Sequence, residues 1–250
     1  MVIETESVDL PTPSGPMRTY LYRPVAPGGY PGVLFFSEIF QRTGPIGRFA
    51  SMLAGHGFVV AVPEIFHELE PAGAELAYDQ AGADRGNRDK VSKPVAAYDA
   101  DARAVITCLE QLPGCTGRLG AVGICIGGHL AFRAAMNPEI RAAACLYPTD
   151  IHGGTLGLGG DDSLARAADI RGELLMIWGR HDPHIPQEGR DRIARRLNEA
   201  GLRFTWHEFG GAHAFMRDEG PRYDPELALI CYGLILGLLG RRLGAGDQAS

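Results

Sequence analysis

The chain has no Cys-x-x-Cys pair, and its five cysteines are odd in number, so neither a disulfide framework nor a zinc cluster is indicated. It also lacks an excess of positive charge. Lysine and arginine total 24 against 30 aspartates and glutamates, a net charge of −6, which leaves no basic face for phosphate backbones and argues against nucleic acid as a partner. No apolar run approaches the ~18 residues of a membrane span. Nothing at the amino terminus has the basic, apolar, small-residue order of an export signal. These absences predict a soluble, cytoplasmic protein with no membrane contact. No repeat or linker composition breaks the 250 residues, and a 45% hydrophobic content suits a globular chain with a sizeable core.

What is present is an alternation of short apolar runs and helical patterns. Met17–Tyr22 predicts an early strand. Gly32–Phe36, Phe58–Val62, Leu119–Val122, Ala142–Tyr147, Leu174–Trp178 and Arg203–Phe209 predict further strands, most of them buried on both faces. Between them, Ile46–Ala54, Val95–Leu112, Gly128–Met136, Gln187–Ala200 and Pro225–Leu243 have helical spacing. Strand, helix, strand is the parallel crossover unit, so the economical fold is one doubly wound α/β domain over residues 1–250 with a mostly parallel sheet. Residues 64–93, rich in charge, Gly and Ala with little periodicity, are expected to form an irregular excursion over one sheet edge. The glycine-rich Gly153–Gly160 lacks the lysine of a phosphate cradle and reads as a surface loop.

The most informative stretch is Gly123-Ile124-Cys125-Ile126-Gly127. It sits between a predicted strand and a predicted helix, which is the setting of a nucleophile elbow, with sulfur where oxygen is usual. Such a turn forces its central residue into strained backbone angles and leaves no room for neighbouring Cβ atoms. A buried cysteine between packing glycines would read the same way. Of the other cysteines, Cys108, Cys145 and Cys231 lie in apolar stretches and Cys115 follows Pro113-Gly114 in an expected loop.

In a doubly wound sheet, ligands gather at the carboxyl ends of the strands. Asp182 follows the strand Leu174–Trp178, and His213 follows Arg203–Phe209. Cys125, Asp182 and His213 stand in the nucleophile, acid, histidine order of an α/β-hydrolase triad. Cys125 would attack an acyl carbon, His213 would move the proton, and Asp182 would hold the imidazole in one tautomer. The plainer uses are a turn or helix cap for Asp182, ahead of Pro183, and packing for the histidines. His181 and His184 mimic a metal pair, but their i, i+3 spacing in a proline-containing loop offers no third ligand, so no metal is expected.

Glu38 follows the strand at Val33–Phe36, where an oxyanion-hole loop belongs, so the Ile39 and Ile126 backbone N–H groups are candidate donors to a developing oxyanion. Glu38 itself could accept the thiol proton, or be a solvated loop glutamate. Arg217, one helical turn past His213, and Arg85 and Arg88 in the excursion could hold a carboxylate, or be surface charges.

Together, Ser37-Glu38-Ile39-Phe40, Gly123 through Gly128, Gly179-Arg180-His181-Asp182 and Gly211-Ala212-His213-Ala214-Phe215 with Arg217 resemble the dienelactone hydrolase (carboxymethylenebutenolidase) family. The resemblance covers nearly the whole chain. It implies a single-domain α/β-hydrolase that opens a small anionic ester or lactone without metal or organic cofactor, as a monomer or small homo-oligomer. It further implies that Glu38 is a switchable base toward a neutral Cys125 thiol, and that Arg217 and Arg85 bind the substrate carboxylate. Ala214 departs from members with a serine after the histidine, which touches substrate choice. Three other readings stay open, a general carboxylesterase or thioesterase, an acyltransferase whose acyl-enzyme is intercepted by an alcohol or amine, and a noncatalytic binding or redox-sensing protein on the same scaffold.

Overall fold

Apolar runs with no polar face must be covered on both sides, and that requirement organises the sheet. In the computed structural model, which describes residues 1–244 and 247–248, β3 (Gly28–Phe36), β4 (Val59–Pro63), β5 (Cys115–Ile124), β6 (Ile140–Leu146) and β7 (Glu173–Gly179) form its buried centre. The strand order is β1-β2-β4-β3-β5-β6-β7-β8. β1 (Ile3–Thr12) and β2 (Gly15–Pro24) run antiparallel at one edge, and the strands from β4 to β8 (Phe204–Phe209) are parallel. A two-residue β9 (Asp247–Gln248) pairs with the start of β3. The molecule is a single-sheet α/β-hydrolase fold.

The helices are α1 (Gly44–Gly55), α2 (Gln80–Ser92), α3 (Val95–Gln111), α4 (Ile126–Ala134), α5 (Gln187–Glu199) and α6 (Pro225–Leu243). Leu109 of α3 comes down where Gly32 leaves room, and Leu239 and Leu243 of α6 where Gly120 does. Because Gly32 faces Leu119 and Gly120 is the next residue, these helices lie on opposite faces of the sheet. Phe49 of α1 meets Tyr232 of α6 at 4.9 Å between ring centroids, completing one layer.

Two expectations are corrected, and one strand has no counterpart in the sequence reading. β1 extends the edge although its sequence is polar; nearly all of it is exposed or half-exposed, and hairpin pairing with β2 holds it in place. Cys115 begins β5 rather than lying in a loop. The excursion at 64–93 contains α2, whose only buried residues are Gly82 and Gly86, so no apolar stripe announces it. Asp79 caps α2 by accepting from the Gly82 N–H at 2.8 Å. At its far end the buried Lys93 ammonium donates to the Ile65 carbonyl at 3.0 Å, to Glu68 at 2.8 Å and to Asp101. That cluster ties the excursion to α3.

Candidate active site

The turn between β5 and α4 is built by exclusion. A Cβ on Gly123 would lie 1.9 Å from the Gly127 carbonyl oxygen, and one on Gly127 would lie 2.2 Å and 2.4 Å from the Phe36 and Ser37 oxygens. Only glycine fits either place. Cys125, between them, has φ 59° and ψ −126° and is 8% exposed. It belongs to a set: Gln41, Cys125, Tyr147, Asp150 and Ala214, the non-glycine residues with positive φ among those described, lie just beyond the carboxyl ends of β3, β5, β6 and β8. Strain of this kind costs on the order of 1–3 kcal/mol per residue and persists where the surroundings enforce it.

Cys125, Glu38, Ile39, His213, Ala214 and Arg217 share the wall of a cavity of about 320 Å³. His213 Nδ1 is 2.6 Å from Asp182 Oδ2, and Asp182 Oδ1 accepts the His184 N–H at 2.9 Å, so both carboxylate oxygens are engaged. Burial acts to lower the His213 pKa, but the adjacent Cys125 sulfur and the Asp182 hydrogen bond outweigh it and push the imidazole up to about 10. An imidazole that favours its cation beside a thiol is suited to stabilise a thiolate.

Glu38 is 2% exposed, and burial pushes its carboxyl up against the pull of Arg217, His213 and Tyr78. Its Oε2 lies 3.7 Å from an Arg217 guanidinium nitrogen and accepts from Tyr78 Oη at 3.3 Å. The guanidinium stacks over the Tyr78 ring at 4.2 Å, and Thr43 Oγ1 reaches Tyr78 Oη at 2.5 Å. Arg217 thus stands at the pocket already paired.

Ile126 is the first residue of α4, so its N–H has no partner within the helix. Ile39 lines the cavity together with Cys125, whereas Ile126 itself is not one of the wall residues. α2 packs directly on this loop, since a Cβ on Gly86 would fall 2.4 Å from the Ile39 carbonyl oxygen. The same helix closes the cavity with Gln80, Ala83, Asn87 and Lys90, which share a face at helical spacing. Lys90 bridges to Asp150 at 3.0 Å across the opening.

Arg85 is not brought to this site. Its guanidinium pairs with both oxygens of Glu70, its side chain is half-exposed, and it does not line the cavity. The Glu70 carboxylate, 15 residues away in sequence, is the physical reason. Sequence reasoning missed Lys90, Asp150 and Arg222 as wall residues, and Tyr78 as the partner of Glu38 and Arg217 behind the wall; only the Asp79 cap followed by the spacing of Gln80, Ala83, Asn87 and Lys90 held a signal for some of them.

Among the described residues, two groups have metal-ligand chemistry, Asp182 with His184 and His213, and His67 with Glu68 and Asp101. In the first, both Asp182 oxygens are committed and His213 favours its proton. In the second, the Lys93 ammonium already sits on Glu68 and Asp101. Neither donor set is free for a cation.

An open-sheet fold with a strained cysteine elbow and an Asp-His pair at the carboxyl ends places the protein in the α/β-hydrolase class. Comparison narrows it further: the profile of the Dienelactone hydrolase family matches residues 17–239, and the chain belongs to that family. It is 41% identical over 239 residues to a Saccharomyces cerevisiae protein carrying a provisional carboxymethylenebutenolidase name, spanning 91% of this chain and 87% of the yeast one. It is 26% identical over 221 residues to the carboxymethylenebutenolidase of Pseudomonas sp. strain P51, spanning 86% and 87%. A Klebsiella pneumoniae crystal structure, provisionally described as a dienelactone hydrolase, superposes with a TM-score of 0.85 at 24% identity over 96% of this chain and all of that one. Family membership supports hydrolysis of an ester or lactone bond.

Proposed function

We propose that the protein hydrolyses a small ester or lactone bearing a carboxylate, with Cys125 as nucleophile. The carrying observation is that His213, hydrogen-bonded to Asp182 from behind, shares a cavity wall with the elbow cysteine. In this reading the Cys125 thiolate attacks the acyl carbon, and the oxyanion is received by the Ile39 and Ile126 N–H groups. The carbon–oxygen bond breaks with a proton from His213, leaving an acyl-thioester. Water, deprotonated by the same imidazole, then attacks the thioester carbon and frees the sulfur. Asp182 keeps the imidazole oriented through both steps.

Glu38 supplies the trigger. It rests against Arg217 at 3.7 Å, and a substrate carboxylate arriving at Arg217 would take over that cation. A buried carboxylate deprived of its counter-charge becomes a stronger base, and the Cys125 thiol is the nearby proton donor in this scheme. Because Arg217 is already neutralised, an esterase indifferent to substrate charge is the competing reading.

Intact-mass measurement after brief incubation with unsaturated lactones and activated esters tests the nucleophile. A transient acyl adduct should form on the wild-type protein and be absent from Cys125→Ala. Turnover undiminished in Cys125→Ala would end the assignment. Arg217→Ala separates the two substrate readings: charge-assisted pairing is worth about 1.5–3 kcal/mol, so rates on anionic substrates should fall about 10- to 100-fold while neutral esters are spared. Equal loss on both favours the indifferent esterase.

A further inference from the structure

α6 carries a surface that its own chain does not explain. From Leu227 to Gly240 it has no charged residue, although only one side packs inward, through Ala228, Cys231, Ile235, Leu238, Leu239 and Leu243. The outward stripe runs Glu226, Ile230, Gly233, Gly237 and Gly240 at steps of three and four, with Leu229 beside it. Leu229 is 74% exposed and Ile230 43%, where a surface helix normally presents charge. The three glycines lower helix stability relative to alanine. Yet a Cβ on Gly233 or Gly240 would meet no atom within 4 Å, and one on Gly237 only the far end of Arg241 at 3.5 Å. Among the described residues, none requires them to be small.

We propose that this face docks onto the same face of a second copy of the chain, two α6 helices packing antiparallel about a two-fold axis. A two-fold interface needs a patch complementary to itself, and this stripe is. Glu226 and Arg241 are equidistant along the helix from the point between Gly233 and Leu234, and so are Ile230 and Gly237. Antiparallel pairing therefore sets Glu226 against the partner's Arg241 at both ends and seats Ile230 over the partner's Gly237. The small residues let the two backbones approach closely. Arg241 contacts Glu173 at 3.2 Å, but its side chain stays 62% exposed, leaving donors for the partner's Glu226.

The test is sedimentation velocity of the full chain over a concentration series, with circular dichroism and melting to establish that each variant is folded. The wild type should show a dimer fraction that rises with concentration. Ile230→Arg, Gly237→Leu, Glu226→Arg and Arg241→Glu should each weaken association by about tenfold or more, and the Glu226→Arg/Arg241→Glu double variant should recover dimer. A wild type that is monomeric throughout, or a dimer untouched by Ile230→Arg and by both charge reversals, overturns the proposal. Flotation of monomer on neutral phosphatidylcholine vesicles, lost in Ile230→Arg, would assign the face to lipid and overturn it as well.

Discussion

Replacing Gly86 by alanine adds one methyl group at the contact between α2 and the loop after β3. The new carbon would lie 2.4 Å from the Ile39 carbonyl oxygen and 2.9 Å from its Cβ, against an ordinary contact of 3.4 Å or more. About 1.0 Å of movement is needed, and the obstacle is backbone, which cannot swing aside. α2 is pinned by the Asp79 cap, by Lys90 on Asp150 and by the Arg85–Glu70 pair, so the Ile39 peptide is the element that gives. Displacing a group that positions the reaction by about 1 Å costs on the order of 10²-fold in rate, within the range for loss of one oxyanion donor. Stability should barely register it. Alanine favours the helix by about 1 kcal/mol, offsetting much of an overpacking cost of about 1–3 kcal/mol. The assay pairs kcat on an activated ester with the rate of Cys125 alkylation by iodoacetamide, in which the same sulfur displaces iodide without forming an oxyanion. The expected outcome is a kcat lowered about 10²-fold with alkylation and melting nearly unchanged. A kcat within about twofold of wild type, or equal loss in both reactions, refutes the reasoning.

Asp182→Asn keeps the shape of the acid but favours the wrong imidazole tautomer, and kcat should fall about 10³- to 10⁴-fold with KM little changed; a loss under about tenfold would show that the 2.6 Å contact is merely structural. His213, with its folded pKa raised from 6.5 to about 10, contributes stability that is complete below about pH 6.5 and lost as pH rises through about 10. The urea-midpoint gap between wild type and His213→Asn should narrow over that window, and a gap constant with pH would contradict the assignment. Lys93→Met strands Asp101 and Glu68 in the interior beside the start of α3, which should cost about 3–5 kcal/mol in chemical denaturation; a neutral effect would mean that the excursion is not held there.

The buried strands were legible because β3 to β7 have no polar face to disguise them, and topology then put Glu38, Cys125, Asp182 and His213 at one edge. The structure joins Asp182 to His213 and leaves Cys125 on the same cavity wall, as their order along the chain led one to expect. What failed had physical causes. β1 is held by hairpin pairing rather than burial, so its exposed residues carry no alternating apolar signal. α2 buries glycines, which leave no hydrophobic periodicity, and Tyr78, just ahead of it, stood in a stretch with no pattern. Arg85 resembled a ligand only while its carboxylate partner was unknown.

The left-handed residues around the cavity mouth carry an evolutionary implication. Glycine at Asp150 or Ala214 would relax the backbone locally, so a lineage selected for heat tolerance has its easiest gains on the very wall where substrate must be gripped. Hardening of this molecule without loss of turnover is therefore to be sought at the opposite, amino end of the sheet, where none of the described non-glycine residues holds such torsional debt.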